Sequence, residues 1–395
     1  MTDPVRTALA AAHAHGPGKS LGPVGGAVRV GRPRPTRSVP LSHLADDPSF
    51  GAALAGTLSV ALAPRRWEPW NPHNDHRGYP SPRCVYPTDA ALRLGGERWP
   101  VDPVRLVLEG ERPLPDPAAV GSATVELTVA PHRLPDGYGT LRDALALLEA
   151  GHVTSCLIEA GRTAGLVGHA SSRGGGGRSG VVAEVTFEEG EVADRPWRQA
   201  VAERSGALAP RGLSADPRPL PAGTLGRVVR DSRPPAGSLA GRRGAVRLRH
   251  RLAVRGIVGV RDGLYELGEG GPDLIRPGRA TEWIGPAFGF GRAAVDVPGM
   301  NVVWAISGDV EGAVREQGPD AYRDMLLAAG AAAQHVCSAA AVSGLFCRPV
   351  RSFDEPAAEA AMRADPGEDI VYMLLIGRPR ALDFCYDLTD PGEFP

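Results

Sequence analysis

A twenty-residue segment occurs twice in this chain of 395 residues, at an offset of 179 positions, and no other feature of the sequence constrains the fold as strongly. The copies are Leu147-Leu-Glu-Ala-Gly-His-Val-Thr-Ser-Cys-Leu-Ile-Glu-Ala-Gly-Arg-Thr-Ala-Gly-Leu166 and Leu326-Leu-Ala-Ala-Gly-Ala-Ala-Ala-Gln-His-Val-Cys-Ser-Ala-Ala-Ala-Val-Ser-Gly-Leu345. Seven aligned pairs are identical: Leu147/Leu326, Leu148/Leu327, Ala150/Ala329, Gly151/Gly330, Ala160/Ala339, Gly165/Gly344 and Leu166/Leu345. The apolar and small residues between them keep helical spacing, and both copies end in Gly-Leu, a helix stop. The duplication predicts two copies of one module.

Ala and Gly stand on nearly every face of both segments. Such a helix lets another backbone approach closely and belongs in the middle of a structure. After the second copy come Cys347-Arg-Pro-Val-Arg-Ser-Phe-Asp354, an acidic stretch from Glu355 to Glu368, and Ile370-Val-Tyr-Met-Leu-Leu-Ile-Gly-Arg-Pro379, which reads as a buried strand. This order resembles the C-terminal half of a nitroreductase-like flavoprotein.

Further stretches narrow the resemblance. Tyr79-Pro-Ser-Pro-Arg-Cys-Val-Tyr-Pro-Thr-Asp89 resembles the Pro-Ser…Tyr-Pro segment of the FMN-dependent azoline dehydrogenases, which oxidise thiazolines and oxazolines in ribosomally made peptides. Val254-Arg-Gly-Ile-Val-Gly-Val-Arg-Asp-Gly-Leu-Tyr265, continued to Pro277, is similar to that family's Gly-Leu-Tyr hairpin, which ordinary nitroreductases lack. Val302-Val-Trp-Ala-Ile-Ser-Gly-Asp309 and Tyr322-Arg-Asp-Met-Leu-Leu match the strand and the start of the Ala-rich helix. The resemblance implies an α+β, nitroreductase-like fold in which two tandem modules form an intramolecular pseudo-dimer.

The sequence divides accordingly. Residues 1–30, rich in Gly, Ala and Pro, read as a poorly ordered N-terminus. Residues 31–190 form the first module, with helical pieces near 41–62, strands Ala90–Leu94, Ala123–Val129 and Val181–Phe187, and the long helix Leu141–Gly165. A Gly-rich loop at 171–178 precedes the last of these strands. Residues 191–222 read as a linker, its Pro-rich part from Ala207 to Pro221, and 223–395 form the second module.

With 43% hydrophobic residues the chain can bury one large core or two ordinary ones. A net charge of −1 gives no nucleic-acid or membrane footprint. No apolar run reaches membrane-spanning length and the N-terminus lacks a signal-peptide core, so the expectation is a cytoplasmic protein. The five cysteines are scattered without Cys-x-x-Cys spacing, which argues against a disulfide framework and a zinc site. His73 and His76, with no third ligand pattern, read as loop residues, and no metal site is expected.

The remaining expectations come from the resemblance. The family's dimers carry two flavins at the interface, each touched by both subunits. Here the first module has the Pro-Ser segment and no hairpin, and the second has the hairpin and no recognisable Pro-Ser segment, so one FMN site assembled from both halves is the simplest consequence, with a second left open. The family's Arg-x-Ser-x-Arg phosphate signature is matched by Arg230-Asp-Ser232-Arg233 with one residue missing, and more loosely by Arg32-Pro-Arg-Pro-Thr-Arg-Ser38; Arg378 or Arg380 would complete the site. Arginine's planar fork suits a phosphate. In the loop Arg348-Pro349-Val-Arg351-Ser352, the amide of Arg351 or Ser352 would face the flavin N5, and Ser81 and Arg83 would hold the pyrimidine edge.

Azoline oxidation removes a proton and a hydride, so the site needs a base beside N5. The family uses a Lys-Tyr pair; Tyr138 matches its tyrosine, and the lysine is absent, because the chain's single lysine is Lys19. Tyr138 working with an Arg or a His such as His152, a different base, and a protein that no longer catalyses all stay open. Three functions follow. One is an FMN-dependent dehydrogenase acting on an azoline-bearing precursor peptide of thiopeptide type, with the pathway's cyclodehydratase as a partner. The others are a nicotinamide-dependent nitro- or quinone reductase and a silent scaffold that binds a precursor peptide or partner enzyme.

Overall fold

The structure is a computed structural model, and it describes residues 37–46, 50–110, 112–173, 180–191, 204, 212–241, 247–289, 294–380 and 385–388. The expected poorly ordered 1–30 stretch, Arg32, Arg34, residues 174–178 of the Gly-rich loop and 207–211 of the Pro-rich run lie outside the described residues.

Two antiparallel sheets carry the fold. The first contains β1 (Ser38–Pro40), β3 (Thr88–Leu94), β4 (Glu97–Asp102), β5 (Val107–Glu109), β6 (Ser122–Val129), β7 (Leu166–Ser172) and β8 (Val181–Glu189), in the order β1-β5-β4-β3-β6-β8-β7. The second contains β9 (Arg249–Val254), β10 (Gly263–Gly268), β11 (Gly271–Pro277), β12 (Val302–Gly308), β13 (Phe346–Val350) and β14 (Asp369–Gly377), in the order β11-β10-β9-β12-β14-β13.

Their sequence patterns differ for a physical reason. Along β6, Ala123, Val125 and Leu127 enter the core while Thr124 and Glu126 face outward, and Glu126 is paired there with Arg93 and with Arg98. One face of that sheet meets water, hence the period of two. In β12 and β14 both faces are covered, Val302, Trp304 and Ile306 joining one core and Val303 and Ala305 another, so these strands read as unbroken apolar runs.

Between the sheets lie the two repeat segments, α2 (Leu141–Thr163) and α5 (Asp320–Val342). Gly165 (φ 83°) and Gly344 (φ 68°) take the left-handed conformation that ends each helix. The helices pack backbone to backbone in a reciprocal way. A Cβ on Gly151 would strike the carbonyl oxygen of Leu327, and one on Gly330 would strike that of Leu148. Because Gly151 and Gly330, and Leu148 and Leu327, are equivalent in the repeat, these contacts are the signature of a two-fold relation, residue i meeting j as j meets i. α5 is long and apolar enough to cross a membrane by composition, yet 94% of its most apolar window is buried inside the protein.

Other helices cover the rims: α1 (Phe50–Leu62) on α2, α3 (Thr224–Asp231) and α4 (Val310–Gln317) on α5, and α6 (Glu355–Met362) on β14. Leu213 and Leu220 make bridges to Val295 and Ile257, so this part of the chain packs with the second sheet. A two-stranded ribbon crosses back in the other direction: β15 (Tyr386–Asp387), after the second sheet, pairs with β2 (Arg66–Trp67). β4 and β5 were not expected from the sequence, residues 348–350, expected in a loop, form the end of strand β13, and the Gly-Leu-Tyr hairpin is present as β10 and β11.

Candidate functional site

β13 and β7 are the edge strands of their sheets, and they occupy equivalent places in the repeat. An edge strand leaves alternate amides and carbonyls free of the sheet. Along the end of β13 lies a cavity of about 420 Å³, within the range of about 300–1,000 Å³ usual for cofactor pockets. Both halves of the chain build it. The first contributes the segment 80–86, Tyr138 from the turn before α2, and one stripe of α2, in which Leu141, Leu145 and Glu149 follow at helical spacing; the second contributes 348–352 with Tyr372 and Leu375 of β14.

The segment 75–86 is backbone-strained. Asp75, Arg83, Cys84 and Tyr86 have φ between 51° and 67°, four of the six non-glycine residues in the left-handed region among the described residues. Such conformations cost about 1–3 kcal/mol each and persist only where the surroundings impose them. Here Ser81 Oγ accepts from the Tyr86 amide at 2.8 Å, the Tyr86 hydroxyl donates to the Asp75 carbonyl, and the Arg77 guanidinium stacks 3.9 Å over the Tyr86 ring.

Most of the charged side chains that line the cavity are arginines. The Arg348 guanidinium makes no hydrogen bond or ion pair among the described residues, and burial pulls it below the usual value. Buried Arg204 is held by the carbonyls of Arg77 (3.0 Å) and Tyr79 (3.3 Å), with no carboxylate partner among the described residues. Glu68 balances part of this charge: burial would raise its carboxyl, but hydrogen bonds from His76 and Asn71 hold it at about 2. Glu149, 1% exposed, also lines the cavity. Its Oε1 accepts from the Thr88 amide at 3.1 Å, its Oε2 is buried without a hydrogen-bond partner among the described residues, and burial pushes its carboxyl up to about 7.

Of the residues expected at a flavin site, Ser81, Arg83, Tyr138, Pro349, Arg351 and Ser352 all line this one cavity. Tyr138 Oη accepts from Arg83 Nε at 3.1 Å. The Arg351 guanidinium is committed to Glu355, while the Ser352 amide makes no hydrogen bond among the described residues. Arg230, Ser232, Arg233 and Arg380 are not brought to the cavity. Arg230 is exposed beside Asp231, the Ser232 hydroxyl donates to the Val229 carbonyl, Arg233 reaches the Glu269 carbonyl, and Arg380 is exposed after β14. His152 is inside the helix pair, bonded to Gln334 and Tyr372, and burial pushes it down to about 3, a neutral imidazole.

Arg348 and Glu149 were not singled out in the sequence. Glu149 carries a signal in hindsight, since it is a carboxylate in a repeat whose other copy has Ala328. At the other edge, the segment Pro234–Gly241 lies against β7. The Gly237 carbonyl accepts from the Ala170 amide at 2.8 Å, and a Cβ on Gly237 (φ 86°) would strike the Gly168 carbonyl. The residue equivalent to Ala170 is Pro349, which has no amide hydrogen to give, so the two edges differ in chemistry.

No protein-family model and no curated protein matches the sequence. Among solved structures, a protein of Anabaena variabilis assigned to the nitroreductases is 13% identical, covers 92% of this chain and 94% of its own, and superposes with a TM-score of 0.69. A Ralstonia eutropha protein of the same assignment (18% identical, 49% of this chain and 88% of its own) and a chain of the Escherichia coli microcin synthetase McbBCD complex solved with truncated pro-MccB17 bound (16%, 49% and 79%) each have a TM-score of 0.36, too low to carry an argument. The chain thus has a nitroreductase-like fold in a tandem, two-module form.

Proposed function

We propose that this protein is an FMN-dependent oxidoreductase that oxidises thiazoline or oxazoline rings of a ribosomally made precursor peptide of thiopeptide type, and that the cavity between residues 80–86 and 348–352 holds the flavin. The modules are taken as 31–190 and 223–395, joined by 191–222. The observation that carries the reading is the convergence, from both halves of the repeat, of the strained Pro80–Tyr86 segment, the β13 edge and the unpaired Arg348 guanidinium on one cavity. The residues suit FMN. Arg348, with Arg83 and Arg204 near it, meets the charge of a phosphate-bearing group, and the β13 edge with Pro349 and the Ser352 amide suits a flat ring lying against backbone. When bound, FMN supplies the two-electron acceptor.

The chain's own residues bind, orient and manage protons. Leu141, Leu145 and Leu375 exclude water from one wall, and Arg83 holds the Tyr138 hydroxyl at the cavity. The β10–β11 hairpin favours the azoline reading over a nicotinamide-dependent reductase, because the resemblance ties that hairpin to peptide-oxidising relatives. The pathway's cyclodehydratase is the partner this reading implies.

The test is the visible spectrum of the purified protein, followed by mass spectrometry of an azoline-bearing peptide. Flavin bands at one flavin per chain and a loss of two hydrogens per ring support the reading. A colourless protein that cannot be reconstituted with FMN supports the silent scaffold instead.

A further inference from the structure

We propose that Glu149 is the general base of the cavity, taking the ring proton. This rests on the azoline reading above. The geometry comes first. Glu149 follows Leu141 and Leu145 at helical spacing along the cavity lining, and its Oε2 is buried with no hydrogen bond among the described residues. Its other oxygen is tied to the Thr88 amide, which fixes the carboxyl group in place. A buried carboxylate oxygen without a donor is costly to leave unmade, of order 1–3 kcal/mol or more for a charged group, so its persistence beside a cavity points to something that uses it.

The surroundings set the group near neutrality. Burial raises it to about 7, while the nearby Ser81 hydroxyl, the Thr88 amide and the Arg77 guanidinium favour the charged form. Facing it from the other elements are Arg133, itself paired with Asp89, and the neutral phenols of Tyr79 and Tyr372. A base poised near the working pH is the most effective one. The step balances. The azoline ring gives up one proton, which Glu149 takes, and one hydride, which the flavin of the reading above takes. What remains is the azole, a protonated Glu149 and a two-electron-reduced flavin.

The test variant is Glu149→Gln, whose amide oxygen still accepts from Thr88. Infrared difference spectra of the flavin-free wild type should show one carboxyl group titrating near neutral pH, and the variant should lack it. With an azoline peptide in deuterated water, the flavin-free wild type should exchange the ring proton and the variant should not. With FMN, the variant should keep the flavin spectrum, lose roughly 10²–10⁴-fold in azole formation, and lose the rise in rate from pH 5 to 8. Absence of the neutral carboxyl titration overturns the proposal. So does a variant that converts azolines at the wild-type rate with the wild-type pH profile, and either result leaves the azoline reading standing. A flavin-loaded wild type that converts no azoline overturns the reading and the base together.

Discussion

Arg348 makes the sharpest residue-scale prediction. Its guanidinium has no partner among the described residues, so Arg348→Ala should weaken flavin retention by about 1.5–3 kcal/mol, the worth of a charge-assisted hydrogen bond, read as the dissociation constant by fluorescence. Replacing Arg230 and Arg233 together tests the sequence expectation directly, and their placement outside the cavity predicts full flavin occupancy. Tyr138→Phe should leave FMN bound and slow azole formation roughly 10²–10⁴-fold if the Arg83-held hydroxyl assists the proton, as followed by mass spectrometry. Glu149 also links stability to pH. Its folded value, about 7, lies above the usual 4.5, so the folded state binds the proton more tightly than the unfolded chain. Its favourable contribution is complete below 4.5 and is lost as pH rises to about 7, on the order of 3 kcal/mol. Urea titrations of wild type and Glu149→Gln across that window should diverge by this amount, the variant staying flatter. Short motifs made Ser81, Arg83, Tyr138 and 349–352 legible in the sequence, because each is carried by its own neighbours. Arg348 and Glu149 were not, because an unpaired side chain is a property of what surrounds it in space.

At the scale of elements, the helix pair is held by two missing methyl groups. Gly151→Ala or Gly330→Ala puts a Cβ against a backbone carbonyl that no rotamer change can move, so each should destabilise by about 1–3 kcal/mol, seen as a lower urea midpoint with unchanged slope. Ala at Gly226, where nothing lies within contact distance of the new methyl, is the matched control. The long helices, the hairpin and strands β12 and β14 were legible because their patterns extend over enough residues to have a period. β13, five residues with a proline, has none, and its importance comes from being an edge.

For the whole molecule, the buried faces of α2 and α5 are each other's cover, and the β2–β15 ribbon ties the end of the chain to its first half. Either half alone would expose the apolar face of its long helix. A chain cut between 192 and 203 and expressed as two pieces should therefore yield pieces that copurify, and neither should stay soluble by itself, which size exclusion of single and paired expressions would show. The tandem architecture was legible from one repeated segment, and the cavity lined by both halves agrees with the expectation of one site assembled from the two; the charged groups left unpaired there were not legible, since they depend on two surfaces meeting. The helix pair also has a genetic consequence. In a homodimer every substitution appears twice, so a carboxylate beside the axis must face its own copy. Here Glu159 faces Ser338 and His335, and Glu149 stands opposite a repeat position held by Ala328. With two copies on one chain, a residue of one copy changes without its counterpart, and Glu149 is acidic where the other copy has Ala328.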